Sequence, residues 1–366
     1  MYNLPLVSRH ALILLAAAAL TFLLGLGRGA IGDSDEAFYA EAAREMVESG
    51  DWLTPRYNYE LRFQKPILYY WLAAAAYRVA GVPEAAARVP SALSGLGLVL
   101  LSWWLARRWF GPPVALLAGL IVATNFGYYV IARMALPDLP LAFFITLATF
   151  ATLEAVNAGR AGRAAARGWL AAAAAAGGLA VLMKGPVGVA LPALVGGVVL
   201  LLPRQPGTPR WPWRPGDLAL AAVVFVAVAA PWYVAMAREH GAGYLHHFFV
   251  GENLDRFATD RYNEPRSLLF YVPIVAGGLL PWSPFMAPGT RTAWQVATRR
   301  RALSREQWWL VAWAAVPFVF YSISVGKQPR YVLPILPPLA ILLARSIEWR
   351  MASPGDTGRQ RTLRWC

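Results

Sequence analysis

Three carboxylates stand close together near the start of the chain, at Asp33, Asp35 and Glu36. The residues that follow have helical spacing, and the order of Asp33 and Glu36 predicts a capping box with Asp33 as the N-cap. Capping alone is one explanation, because an acid at a helix N-terminus gains about 0.3–1 kcal/mol from the helix dipole. The alternative is a general base that takes a proton from an acceptor hydroxyl, since three acids in four residues exceed what a cap needs.

Lysine is rare, with only three residues against 31 arginines. Lys65 lies in RFQKP, Lys184 in MKGP and Lys327 in VGKQPR, and each is followed within two residues by proline or glycine. Those neighbours place each lysine at a break in a helix. One explanation is snorkelling of the side chain at a membrane surface. The other is a compact ammonium group kept for a phosphate.

Further polar candidates lie in GENLDRF, which contains Glu252 and Arg256, and in LPDLP, where Asp138 stands between two prolines. Asp138 is either a helix cap or a site residue. His246 and His247 adjoin in sequence, whereas two histidines that bind one metal from a helix are four residues apart, so a metal is weakly indicated. No phosphate-binding loop, nucleophile elbow or HExxH motif is present.

The composition indicates a membrane protein, because 58% of the residues are hydrophobic and 15% are charged. The apolar runs predict an all-α, polytopic bundle of about ten transmembrane helices. They lie near 11–29, 89–106, 114–132, 139–157, 169–183, 187–202, 217–236, 267–288, 308–325 and 331–347. The run 67–80 is too short to span comfortably and predicts an additional helix at the outer surface. The single cysteine, Cys366, excludes an intrachain disulfide.

The charges divide between two faces of this predicted bundle. The loops with Arg107, Arg108 and the segment 291–305 belong to a face with 19 of the 34 basic residues and 5 of the 20 acids, a formal +14. The other face carries 15 basic and 15 acidic residues. Cytoplasmic loops are enriched in Lys and Arg, so the balanced face is predicted to lie outside, with both chain ends cytoplasmic. This also explains the net charge without a nucleic-acid partner.

We predict one transmembrane domain, 1–347, whose outer loops 30–88 and 237–266 carry the active site, and a short cytoplasmic tail, 348–366. Several motifs occur in the order of one known group. DEAFYAEAAREMVESGDWLTPRYN, RFQKPILYYW, LPDLP, MKGP, DRF and GKQPRYVLPILPPLAIL together resemble glycosyltransferases of the C-type fold that take a sugar from a polyprenyl-phosphate carrier. The resemblance covers most of the chain and is to bacterial lipid A aminoarabinose transferases and protein O-mannosyltransferases.

The resemblance implies roles for particular residues. Asp35 corresponds to the catalytic carboxylate of the group, and Lys65 and Arg256 to residues that hold the lipid-linked phosphate. Further expected phosphate-site residues are Lys184, Lys327 and Tyr331, and supporting residues are Glu36, Tyr39, Asp138 and Glu252.

Two positions depart from the relatives. Gln64 stands where they have Glu, and Asn253 where they have His, and those residues are associated with a metal ion in the relatives. A divalent metal cofactor is therefore left open and is disfavoured by the two amides. The relatives also continue beyond the equivalent of Cys366 into further helices and an outer domain, so acceptor recognition is not predicted.

The function implied is an inverting transfer of sugar from a polyprenyl-phosphate donor to lipid A, a glycan or a protein hydroxyl, at the outer face of a bacterial inner membrane. The alternative is a transporter or flippase for lipid-linked saccharides. A transporter is expected to place ionisable groups near the membrane midplane, often in repeated halves. The predicted spans have almost no charge at their centres, and no repeat is visible.

Overall fold

The computed structural model describes residues 6–204, 206–259, 266–286 and 303–351. These residues form a helical bundle, with one small antiparallel hairpin of two-residue strands in which Arg56 pairs with Leu61 and Tyr57 with Glu60. The all-α prediction is confirmed. Most of the segment 291–305, the loop residue Arg261 and most of the predicted tail 348–366 lie outside the described residues.

The first half of the chain forms helices that cross the bundle and helices that lie at one end of it. Their bounds are α1 Leu6–Ala18 with a π-helical turn Ala19–Leu23, α2 Ser34–Ser49, β1 Arg56–Tyr57, β2 Glu60–Leu61, α3 Leu68–Ala80, α4 Glu84–Phe110, α5 Pro112–Thr124, α6 Phe126–Ala132, α7 Asp138–Arg160 and α8 Ala165–Lys184. The second half continues with α9 Val187–Leu201, α10 Pro215–His240, α11 Gly243–His246, a π-helical segment His247–Leu254, α12 Asp255–Ala258, α13 Tyr271–Gly278, a 3₁₀ turn Ser283–Met286, α14 Arg305–Ile323, a 3₁₀ segment Pro329–Ile335 and α15 Leu336–Met351.

Fewer helices are long and apolar enough to cross a membrane than the ten spans that the sequence predicts. Within the described ranges five satisfy both conditions, namely Glu84–Phe110, Asp138–Arg160, Ala165–Lys184, Pro215–His240 and Pro329–Met351. A sixth is obtained if α5 and α6, bent by 53° at Asn125, count as one span. The runs near 11–29 and 187–202 form the shorter apolar helices Arg9–Leu23 and Val187–Leu201, and the run 267–288 breaks after eight residues of helix. Polar ends and proline breaks shorten these segments below a full span.

The two predicted faces lie at opposite ends of the bundle, and the long helices run from one end to the other. Helix α7 begins at Asp138 and ends at Arg160, and its 23 residues span about 34 Å at 1.5 Å per residue. Helix α8 runs back from Ala165 to Lys184, and α7 and α8 pack closely along their length. We call the end with Asp138 and Lys184 the cavity end, and the end with Arg160 the arginine end.

Helices α2 and α3 lie against each other and against α4 at the cavity end. The Oδ1 atom of Asp33 accepts hydrogen bonds from the backbone N–H groups of Asp35 and Glu36, which confirms the predicted N-cap. The second half of the predicted capping box is wrong. The carboxylate of Glu36 does not turn back to Asp33, because it is buried between Arg88 of α4, at 2.7 Å, and the backbone N–H of Ala135, at 2.9 Å.

Candidate active site

A cavity of about 330 Å³ opens at the cavity end, between the loop that precedes α3, the α8–α9 junction, the π-helical segment and the 3₁₀ segment before α15. Its charged lining, among the described residues, consists of four cations and two carboxylates, namely Lys65, Lys184, Arg256, Arg330, Asp138 and Glu252. The rest is largely apolar, with Phe249, Phe257, Phe320 and Tyr321 among the lining side chains. A basic patch beside apolar walls suits a ligand that is part phosphate and part hydrocarbon.

Glu252 joins the two cations on one side of the cavity. Its Oε2 atom lies 3.1 Å from Nη2 of Arg256, one helical turn further on, and 3.9 Å from Nζ of Lys65. The carboxylate is buried, whereas Lys65 and Arg256 keep part of their side chains exposed toward the cavity. Burial, with the nearby charges of Arg256 and Lys184, lowers the pKa of Lys65 to about 7, and Glu252 opposes this only in part. An anion beside Lys65 would restore its charge.

Asp138, Lys184 and Arg330 form a second charged group. The Lys184 ammonium donates to Asp138 Oδ1, and Nε of Arg330 lies 3.4 Å from Asp138 Oδ2 without the alignment of a hydrogen bond. The same guanidinium donates through Nη2 to Asp35. Asp35 itself is 43% exposed and stands beside the cavity wall, one guanidinium away from Asp138.

Tyr331 and the MKGP turn complete this wall. Nζ of Lys184 lies 4.9 Å from the centre of the Tyr331 ring, a cation–π contact that holds the lysine at the cavity. Gly185 follows with φ +92°, and a Cβ placed there would lie 2.8 Å from Oδ1 of Asn253. A glycine is therefore required at this position for the turn and for the close approach of the π-helical segment.

Four predicted site residues are not among the described residues that line the cavity, and one of them, Asp35, is joined to the lining through its contact with Arg330. Glu36 is buried against Arg88, and the ring centre of Tyr39 lies 5.3 Å from that of Tyr69. The side chains of Glu36 and Tyr39 therefore hold α2 in place. Lys327 is buried and donates to the carbonyl of Ser324. It is not among the described residues that line the cavity, although its neighbours Ser324 and Gly326 are.

Arg330 is the residue that the sequence reasoning missed. It touches Asp35 and Asp138, which are far apart in sequence, and lines the cavity. A signal was present, because in GKQPRY Arg330 lies between Lys327 and Tyr331, both of which the sequence analysis assigned to the phosphate site.

The donors around Gln64 and Asn253 do not fit a divalent metal. Within the part of the chain that the structure describes, no three His, Cys, Asp or Glu side chains gather as a metal site would require. Asn253 donates to the carbonyl of Phe248 at 2.8 Å, and the one nearby carboxylate, Glu252, contacts Lys65 and Arg256. Hard divalent cations prefer several free oxygen ligands, so no step is derived through a metal.

Comparisons with known proteins agree with this architecture. An undecaprenyl phosphate-α-4-amino-4-deoxy-L-arabinose arabinosyl transferase from Edwardsiella ictaluri is 32% identical over 317 residues, which are 86% of this chain and 55% of the relative. The crystal structure of ArnT from Cupriavidus metallidurans bound to undecaprenyl phosphate superposes with a TM-score of 0.79 at 34% identity, over 92% of this chain and 60% of that one. An oligosaccharyltransferase from Archaeoglobus fulgidus, at 15% identity, TM-score 0.56, and 94% and 50% coverage, shares the fold alone.

The fold is helical, several of its helices are apolar and long enough to cross a membrane, and it is similar to the structures named above. Together these findings define a multi-pass membrane protein of the C-type glycosyltransferase fold. The profile of the dolichyl-phosphate-mannose-protein mannosyltransferase family matches residues 13–246, and the chain belongs to that family. The family resemblance expected from the motifs is thereby confirmed. The chain spans 55% to 61% of the length of the first two curated relatives it matches.

Proposed function

We propose that this chain transfers a sugar from a polyprenyl-phosphate donor to a hydroxyl group of an envelope acceptor, with inversion at the anomeric carbon. The observation that supports this most directly is the cavity lined by four cations next to the paired carboxylate of Asp35. An apolar wall and a formal excess of two positive charges match a lipid tail joined to a phosphate. The related ArnT structure was obtained with undecaprenyl phosphate bound, which is the ligand class proposed here.

The donor phosphate is proposed to lie against Lys65 and Arg256. Both cations contact one buried carboxylate, Glu252, and both line the cavity. As the bond between the anomeric carbon and the phosphate oxygen breaks, negative charge grows on the lipid phosphate. Cations fixed beside that oxygen stabilise the developing charge more than the ground state, which lowers the barrier. Lys184 and Tyr331 are proposed to line the same site, and Lys327 to support its loop.

Asp35 is proposed as the general base. The acceptor hydroxyl attacks the anomeric carbon opposite the phosphate, its proton passes to the Asp35 carboxylate, and the lipid phosphate leaves with the electron pair of the broken C–O bond. A single displacement of this kind inverts the anomeric centre and needs no covalent intermediate. Arg330 is proposed to orient Asp35, because its guanidinium contacts that carboxylate and Asp138 at the same time.

The cavity end is proposed to face the outside of a bacterial inner membrane. The support is the charge division of the sequence, because cytoplasmic loops are the basic ones, and Arg160 stands at the end of α7 opposite Asp138. On the same reasoning we propose that residues 1–347 form one transmembrane domain and that the loops 30–88 and 237–266 lie outside. Alkaline phosphatase fused after Gly50 should be active and a fusion after Arg163 inactive, and the reverse result would contradict the orientation.

The transporter alternative has no support from the curated relative or from the matching family, both of which are named as transferases. The charged groups of the cavity also lie at helix ends, since Asp138 begins α7 and Lys184 ends α8. A substrate path through the membrane would be expected to carry ionisable groups at mid-depth.

The test compares envelope lipids and glycans by mass spectrometry in a strain that lacks the gene, complemented with the wild type or with Asp35→Asn. The wild type should restore a product heavier by one sugar residue, and the variant should not, although both proteins accumulate in the membrane equally. Purified wild type should also bind undecaprenyl phosphate, and Lys65→Gln should weaken that binding. Equal product with and without Asp35, or no binding of undecaprenyl phosphate, would overturn the proposal.

A further inference from the structure

A second polar cavity lies at the arginine end of the bundle. Its volume is about 260 Å³, and its described lining residues are Asn157, Arg160, Ala161, Arg163, Thr208 and Arg305. They come from the last turn of α7, the turn into α8, the loop between α9 and α10, and the start of α14. Three of the six are arginines, and no acid is among them.

Arg160 is the residue that requires explanation. It is only 8% exposed, and the single hydrogen bond found for its side chain is a long one, 3.5 Å from Nη2 to the carbonyl of Val199. Its Nε and Nη1 atoms are buried with no hydrogen-bond partner in the described part of the chain. A buried charge without an opposite charge beside it is strongly unfavourable, so Arg160 would be stabilised by an anion bound nearby.

The positive-inside rule accounts for the number of arginines at this end but not for this one. Arginines that set orientation need only lie near the membrane surface, and Arg163, which is exposed, satisfies that condition. Arg160 instead lines one cavity together with Arg163 and Arg305, so an anion in that cavity would lie close to a buried guanidinium. The neighbouring acid Glu306 contacts Arg305, at 2.9 Å, and Arg305 also lies 4.9 Å from the Trp309 ring centre.

The wall opposite α7 is held firmly against it. A Cβ on Gly159 would lie 2.6 Å from the backbone oxygen of Pro212, so the loop before α10 approaches the helix backbone directly. Trp213 donates from Nε1 to the carbonyl of Ala155 at 3.3 Å. These contacts hold the loop before α10, which also carries Thr208 of the cavity lining, beside the last turns of α7.

We propose that this cavity is a second binding site, for a phosphate group, at the membrane surface opposite the active site. Guanidinium groups bind phosphate through two parallel hydrogen bonds, and three guanidinium groups, those of Arg160, Arg163 and Arg305, line this cavity. Basic pockets between helices on the cytoplasmic side bind the head groups of anionic lipids such as cardiolipin, and a soluble phosphate compound has the same chemistry. The length of α7 separates this site from the cavity end by about 34 Å.

The experiment uses the full chain in three variants. Arg160→Gln removes the buried charge, and Arg163→Gln removes an exposed one from the same cavity, so that a folding defect in the first does not end the test. Arg210→Gln is the matched control, since Arg210 is an exposed arginine of the same end that does not line the cavity. Native mass spectrometry measures retained cardiolipin and phosphatidylglycerol, and thermal melting in detergent with inorganic phosphate tests the soluble source.

We expect wild type and Arg210→Gln to retain anionic lipid, and Arg160→Gln and Arg163→Gln to retain about 10-fold less, as loss of a charge-assisted hydrogen bond predicts. If phosphate alone raises the melting temperature of wild type but not of Arg160→Gln, and lipid is not retained, the same chemistry is supported with a soluble ligand. Two results would overturn the proposal, provided that phosphate also leaves the melting temperatures unchanged. One is equal retention of anionic lipid by all four proteins, and the other is a loss of lipid in Arg210→Gln as large as in the two cavity variants.

Discussion

Replacing Asp35 by asparagine separates its proposed role as a base from a role in supporting helix α2. The substitution keeps the size of the side chain and removes its charge. Asp35 is 43% exposed and its ion pair with Arg330 is therefore screened by water, so its loss should change the free energy of unfolding by at most about 1 kcal/mol. If Asp35 is the base, transfer should instead fall by roughly 10²–10⁴.

Asp33→Asn is the matched control for this variant. The Oδ1 atom of Asp33 caps α2 by accepting from the N–H of Asp35, at 2.8 Å, and of Glu36, at 3.3 Å. Asparagine caps helices about as well as aspartate, so this variant should keep both stability and activity. The two substitutions remove the same charge two residues apart, and only one of the two carboxylates contacts Arg330.

The assay measures transfer and donor-site occupancy separately. Product is measured by mass spectrometry of envelope lipids and glycans, and binding of undecaprenyl phosphate by thermal melting of the purified proteins. Asp35→Asn should bind this ligand within about threefold of wild type, because Lys65 and Arg256 are unchanged, an effect below about 0.7 kcal/mol. Normal transfer by Asp35→Asn together with inactive Asp33→Asn would refute the assignment of the base.

Three further predictions concern pH, stability and metals. Because the pKa of Lys65 is lowered to about 7, the empty site loses this charge as pH rises through that value. Affinity for undecaprenyl phosphate should therefore fall by up to about tenfold per pH unit between pH 7 and 9, measured by titration, and Lys65→Gln should remove this slope. Glu36→Ala should lower the free energy of unfolding by about 3–5 kcal/mol in denaturation experiments, because it removes the carboxylate that balances the charge of the buried Arg88 and leaves that charge with backbone carbonyls as partners. Transfer should change by less than about twofold in EDTA, since the amides of Gln64 and Asn253 bind divalent metals weakly, and complete loss that one divalent ion restores would contradict this.

Local features of the sequence predicted local structure well. Asp33 is the N-cap of α2, the run 67–80 forms the 13-residue helix α3, too short to span a membrane, and most of the predicted spans contain a helix. The prediction that Glu36 turns back to the backbone of Asp33 was wrong for a physical reason. A capping box is a local pattern, whereas Arg88 is 52 residues away and contacts Glu36 only after α4 packs against α2.

Some of the predicted site residues meet at the cavity in the structure, but the sequence did not predict their contacts and missed Arg330. The sequence placed Lys65, Arg256 and Glu252 at one site, and the structure joins them through the Glu252 carboxylate. It did not show that Lys184 pairs with Asp138, because those residues meet only where the ends of α7 and α8 lie side by side. Pairings of this kind depend on helix register and tilt, which hydropathy does not determine.

The division of charge between the two faces can also be interpreted through the contacts that the structure shows. At the cavity end the sequence has 15 basic and 15 acidic residues, and each of the four cavity cations contacts an acid of the same site. At the arginine end it has 19 basic residues and 5 acids, and two buried donors of Arg160 have no partner among the described residues. Balanced charge allows a site to keep its cations in place while it is empty. An unbalanced excess can be buried only with an anion from outside the chain, which is why we place the phosphate ligand of the second cavity at that end.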